Sequence, residues 1–100
     1  MAEIIPLHPT LSPEPLWREA AGEVLRRARH ERGERLADTA RRSGVSPQYL
    51  SEIERGLKEP SSEMLAAVAG ALDLTLVDLA SAVADDVRTQ QPRGALLLAA

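Results

Sequence analysis

From Leu16 onward the apolar residues recur at three- and four-residue steps. Ala21, Val24, Leu25 and Ala28 form one stripe that ends at Gly33, which predicts a first helix over about 18–32. Leu36 and Ala40 share one face of a second, two-turn segment over 36–43, closed by Gly44, a residue suited to the left-handed conformation past a helix end. Ser46 offers a capping hydroxyl, and Pro47 fits the first helical position because its missing N–H would have had no intrahelical partner. These predict a third helix over 47–55, with Leu50 and Ile53 inward and Gly56 as its stop. Ser61 caps a fourth helix over about 62–72, with Met64, Leu65, Val68 and Leu72 inside. Thr75 followed three residues later by Asp78 has the form of a capping box, opening a fifth helix whose apolar stripe is Leu76, Leu79, Ala80, Val83 and Val87. Before these helices, Pro6, Pro9, Pro13 and Pro15 block helix and sheet ladders alike, so residues 1–15 are expected to form a disordered or extended arm. Residues 89–100, interrupted by Pro92 and Gly94, read as a flexible apolar tail. The expectation is one all-α, five-helix domain over 16–88 between two irregular ends.

Composition supports helices and narrows the chemistry. The 100 residues include 16 Ala and 15 Leu, no Phe, and only Trp17 and Tyr49 as aromatics, so a single core must be filled by small and straight-chain side chains that favour helix. With no cysteine, and with His8 and His30 far apart, neither a disulfide frame nor a thiolate or histidine metal site is expected, and no cofactor. No catalytic residue is assigned, because no nucleophile, base or paired-acid arrangement emerges. No apolar run approaches the ~20 residues of a membrane helix, and Glu3 stands where a secretory leader would be basic, so the expected compartment is the cytoplasm. Net charge is -3, but it is unevenly spread: residues 16–60 hold ten basic against eight acidic side chains, while both flanks are acidic. The middle of the chain thus permits a polyanionic partner without demanding one.

Two short helices joined by a tight turn at Gly44, the second opening with polar residues, form a helix-turn-helix arrangement, in which the second helix enters the DNA major groove. Ala40 is small where the helices would cross, and Leu50 and Ile53 point inward. Gln48, Ser51, Glu52 and Arg55 then fall on the opposite face at helical spacing. Such a face, by itself, is an ordinary solvated helix surface. The turn spacing is what directs it toward a duplex.

Over about residues 22–80 the sequence resembles the Xre/Cro-type helix-turn-helix family of bacterial and phage regulators. The resemblance rests on Leu25 with Arg29, Arg32-Gly33, Ala40, Gly44-Val45-Ser46, Tyr49-Leu50-Ser51-Glu52-Ile53-Glu54-Arg55-Gly56, Pro60-Ser61, Leu65-Ala66, Ala71-Leu72 and Leu74. Within it, the run from Tyr49 to Gly56, with Lys58-Glu59 and Ser61-Ser62-Glu63, looks most like the actinobacterial Clp gene regulators. The resemblance implies a lambda-repressor-like fold and a homodimeric regulator on a palindromic operator, with double-stranded DNA as partner. It also implies control of Clp protease genes. An antitoxin of the same fold is the alternative; an enzyme has no site to support it.

Residue roles follow at the matched positions. Gln48 can pair with adenine and Glu52 can accept from cytosine, while Pro47 can touch only a thymine methyl. Ser46, Tyr49, Ser51, Arg55 and Lys58, with Arg35 and Arg42, suit phosphate or sugar, Arg41 standing in reserve. Tyr49 fits a partly buried ring equally well. The family commonly caps helix two with Ser or Thr and follows it with Gln; here Arg35 and Leu36 stand there. Leu36 cannot reach a phosphate as Gln does, and Arg35 has no acceptor to cap with, so the start of that helix is expected to fray. Arg29 shares a face with Leu25, and Glu54 follows Leu50 by four residues, which turns both charges inward; the resemblance implies an ion pair between them.

A dimer needs a partner surface, and Val77, Val83, Ala84 and Val87 of helix five exceed what one core stripe requires, although packing within the protomer can absorb them too. The terminal Leu98-Ala99-Ala100 resembles the end of the tag that directs stalled translation products to Clp proteases. A degradation signal, with Clp protease as a further partner, is one expectation for it; packing on the dimer or fraying are the others.

Overall fold

Five helices account for most of the described chain: α1 (Pro13–Glu31), α2 (Leu36–Ser43), α3 (Pro47–Glu54), α4 (Ser62–Ala71) and α5 (Leu76–Gln90), with no strand among the described residues. The computed structural model describes residues 13–90. Residues 1–12 of the expected arm, and the end of the expected tail with Leu98, Ala99 and Ala100, lie outside the described residues. The all-α expectation holds, with two differences at the ends. α1 begins at Pro13 instead of near residue 18, so residues 13–15 of the expected arm are helical. Proline is tolerated there because the first turn of a helix has no intrahelical use for its N–H groups. At the other end α5 runs to Gln90, two residues into the segment expected as tail.

Local chemistry sets the helix starts. Ser46 and Ser61 are extended N-caps whose hydroxyl oxygens accept from the backbone N–H of Tyr49 (3.0 Å) and Met64 (3.1 Å). At α5 the box is reciprocal: Thr75 N–H donates to Asp78 Oδ2 and Asp78 N–H to Thr75 Oγ1, both at 3.0 Å. Arg35 caps α2 with backbone alone, its side chain making no capping hydrogen bond.

The core joins Val24 and Leu25 of α1, Ala40 of α2, Leu50 and Ile53 of α3, Leu65 and Val68 of α4, and Leu79 and Val83 of α5. α1 is the spine: α5 lies along it on one side and α3 on another, while α2 spans between α3 and α4. Of the expected α5 stripe, Leu79, Val83 and Val87 face the core, and Leu76 and Ala80 do not. Leu79 and Val83 are 1% exposed and Ala82 and Val87 pack partly against the core, whereas Leu76 is 41% exposed and Ala80 lies on the surface. Val83, expected at a dimer surface, is therefore core. On a helix rich in Ala and Val two stripes compete, and the close pairing with α1 selects the one through Leu79 and Val83.

Candidate nucleic-acid interface

The turn between α2 and α3 is fixed at both ends. Gly44 adopts φ 77° and ψ 23°, a left-handed conformation that lets Val45 N–H return to the Ala40 carbonyl at 3.1 Å. The chain then runs extended through Ser46 and starts α3 at Pro47. Leu50 and Ile53 anchor α3 from beneath, being 0% and 2% exposed. With that face buried, Ser46, Pro47, Gln48 and Arg55 are exposed, and Tyr49, Ser51 and Glu52 are half-buried. Tyr49 packs partly on the core. Lys58 stands exposed in the loop after α3. Arg55 lies back on its own helix, its Nε donating to Ser51 Oγ at 3.3 Å. Gln48, Glu52 and Arg55 thus share one polar face of α3 at helical spacing, and Lys58 is exposed in the loop that follows.

Three cations on and beside α2 each pair with a carboxylate. Arg35 is an exposed side chain (85%) with a long 3.4 Å hydrogen bond to Asp38, and Arg41 (74% exposed) also donates to Asp38, at 3.1 Å. Arg42, expected at a phosphate, also makes contacts within the protein. Its guanidinium pairs with Glu34 at 2.9 Å and donates to the Ala71 carbonyl at the end of α4, so it ties α2 to the scaffold. Both neighbours keep exposed side chains, Arg41 at 74% and Arg42 at 41%.

Beneath the polar face lies a network centred on two carboxylates. Arg29 grips Glu54 with both arms, Nε to Oε2 at 2.7 Å and Nη2 to Oε1 at 2.9 Å, and donates its remaining arm to the Glu34 carbonyl at 2.9 Å. The two side chains are only 11% and 6% exposed. The hydrogen bond to Glu54 raises the Arg29 pKa above its ordinary value against the opposing effect of burial. Glu34 was not foreseen from the sequence. Its carboxylate accepts from the fully buried Thr39 hydroxyl at 2.6 Å and also pairs with Arg42 and with Arg32 (3.1 Å). These donors hold its carboxyl down to about 2, Thr39 contributing most. Because the folded value lies below the ordinary one, this stabilisation is complete above pH 4.5 and is lost as pH falls toward 2. Glu34→Gln should therefore flatten the acid limb of the stability-against-pH curve between those two values, which urea titrations at stepped pH would reveal; an unaltered limb would deny Glu34 this role.

Close backbone approach is the other feature that periodicity missed. Gly22, buried in α1, faces the carbonyls at the end of α3, and a Cβ there would meet the Ile53 oxygen and come within 2.7 Å of the Glu54 oxygen. Gly56 (φ 75°) lies against Glu19, and its carbonyl accepts from Arg18 Nε at 3.2 Å. The available signal was the presence of a glycine inside a helical pattern, a costly choice that asks for a packing reason.

Comparison with known proteins gives a consistent result. Residues 25–79 match the family described as helix-turn-helix. The transcriptional regulator ClgR of Mycobacterium tuberculosis is 54% identical over 61 residues, which cover 61% of this chain and 54% of that protein. The HTH-type transcriptional regulator SinR of Bacillus subtilis is 38% identical over 56 residues, 55% of this chain and 50% of its own length. The chain thus spans about half the length of these relatives. The crystal structure of the clp gene regulator ClgR from Corynebacterium glutamicum superposes with a TM-score of 0.75 at 45% identity, covering 87% of this chain and 93% of that one.

Proposed function

The chain belongs to the helix-turn-helix family of Xre type, and from that premise we propose that it is a sequence-specific DNA-binding transcriptional regulator that acts as a homodimer on a palindromic operator. Its likeness to ClgR regulators extends the proposal to genes of the Clp protease system, and to the cytoplasm as the place of work. The single observation that carries this reading is the two-faced α3: Leu50 and Ile53 are locked in the core while Gln48 stands exposed in the first turn after a capped start. A helix held that firmly, with its polar edge outward, can enter a major groove without rearranging. Gln48 and Glu52 serve base reading; Ser46, Ser51, Arg55 and Lys58, with Arg35 and Arg41 at the flank, serve phosphates and sugars. Dimerisation places a second α3 about 34 Å away, one turn of the duplex.

Two substitutions separate the roles. Gln48→Ala should cost about 1–3 kcal/mol on the preferred duplex and relax one base position, with little effect on nonspecific DNA. Lys58→Ala should weaken binding to all sequences alike and reduce the salt slope by about one. Gel shifts over a salt series on a duplex selected from a random pool provide both numbers. Equal binding of selected and scrambled duplexes by the unaltered chain would reject the proposal.

A further inference from the structure

One face of α1 carries Arg18, Gly22 and Arg29 at four- and seven-residue steps, and opposite them runs the outgoing end of α3. Arg18 Nε holds the Gly56 carbonyl at 3.2 Å, Gly22 faces the Ile53 and Glu54 carbonyls, and Arg29 holds the Glu54 carboxylate. The last carbonyls of a helix lack intrahelical partners and usually need space or donors. Here two arginines hold that end, and between them a residue without a side chain lets the backbones close. Because the obstructing atoms would be backbone oxygens, no side-chain rotation can make room at position 22. The other end of α3 is pinned by the left-handed Gly44 and the Ser46 cap.

We propose that Gly22 is a positioning residue for DNA reading: its bare Cα sets the height of the outgoing end of α3 on α1, and through it the tilt at which Glu52 meets the duplex. This rests on the DNA-reading role proposed above. A side chain at 22 lifts that end. With Ser46 as the pivot, the displacement grows along the helix, small at Gln48 and larger at Glu52 and Arg55. The consequence is positional: base preference is lost where Glu52 reads and kept where Gln48 reads.

The test takes the full chain and the best duplex it recovers from a random-sequence pool, with every single-base variant of that duplex and a scrambled duplex of equal composition. Binding is measured at a temperature where circular dichroism shows each variant folded. Gly22→Ala should lose about tenfold of its preference, the scale of one misaligned base contact, at the positions that Glu52→Ala also relaxes. Preference at the positions relaxed by Gln48→Ala should stay as it is, and the salt slope on the scrambled duplex should fall by no more than about one, the single phosphate contact of Arg55. Val68→Ala, a core truncation in α4 away from this seat, controls for stability and should leave every preference intact. If Gly22→Ala does not fold, Arg18→Ala decides, because it loosens the same seat without filling space: a smaller loss at the Glu52 positions supports the proposal. A uniform loss across positions, or none, in the variant that folds would overturn it. Absence of any recovered preference in the unaltered chain would instead reject the DNA-reading role itself, and this inference with it.

Discussion

Glu54→Ala is expected to lower the free energy of unfolding by about 3–5 kcal/mol. The reason is what remains. Arg29 is a side chain only 11% exposed that stays ionised at any accessible pH, so losing Glu54 strands a buried charge with one carbonyl for company. The intact pair contributes far less than its loss removes, since forming it required desolvating both ions. That asymmetry yields a second outcome: Arg29→Met with Glu54→Leu should recover most of the loss, because two apolar side chains need no partner. Urea unfolding followed by circular dichroism reads both variants as a shift of midpoint at constant slope. With total stability of a domain at about 5–15 kcal/mol, the single variant should be partly unfolded at growth temperature while the double variant is not. A loss below about 1 kcal/mol in Glu54→Ala would mean that water reaches Arg29 and that the pair is in effect a surface one.

What the sequence made legible was local. The Ser46 and Ser61 caps, the Thr75–Asp78 box and the left-handed Gly44 each involve residues at most five apart, so the chain's own chemistry determines them before any tertiary contact forms. The inward turn of Arg29 and Glu54 was also readable, because each follows an apolar anchor by one helical turn. What escaped depends on which helix lies opposite. The contacts of Arg42 with Glu34 and with the end of α4 could not be read from its own helix, because they depend on which elements approach it. Thr39 is polar and reads as surface, yet it is fully buried because Glu34 folds over to accept its hydroxyl. Gly22 carries no periodic signal, since its role is to be absent from a crossing that the pattern of one helix cannot show. The prolines at 13 and 15 misled for a related reason: a proline's cost depends on whether it falls inside a helix or in its first turn.

The same dependence on the facing surface decides the last expectation, that Val77→Asp with Ala84→Asp should leave a folded monomer that binds the selected duplex about 10²–10⁴-fold more weakly. Val77 is 73% exposed, and Ala84 lies exposed two turns further along α5, with Leu76 and Ala80 exposed in the same stretch. Neither substitution touches the core, so helicity and the urea midpoint should be preserved. Val83, between them in sequence but 1% exposed, supplies the contrast: Val83→Asp should unfold the protomer outright, because an aspartate there has no partner. The affinity loss is expected to be large because two half-sites bound by one dimer profit from effective concentration, and a monomer forfeits that gain with every base contact intact. Sedimentation equilibrium and gel shifts on full and half operators separate the contributions. The double variant should match the unaltered chain on a half-site and fall behind only on the full operator. A dimer that persists despite two added carboxylates would place the two-fold contact on another face of the domain.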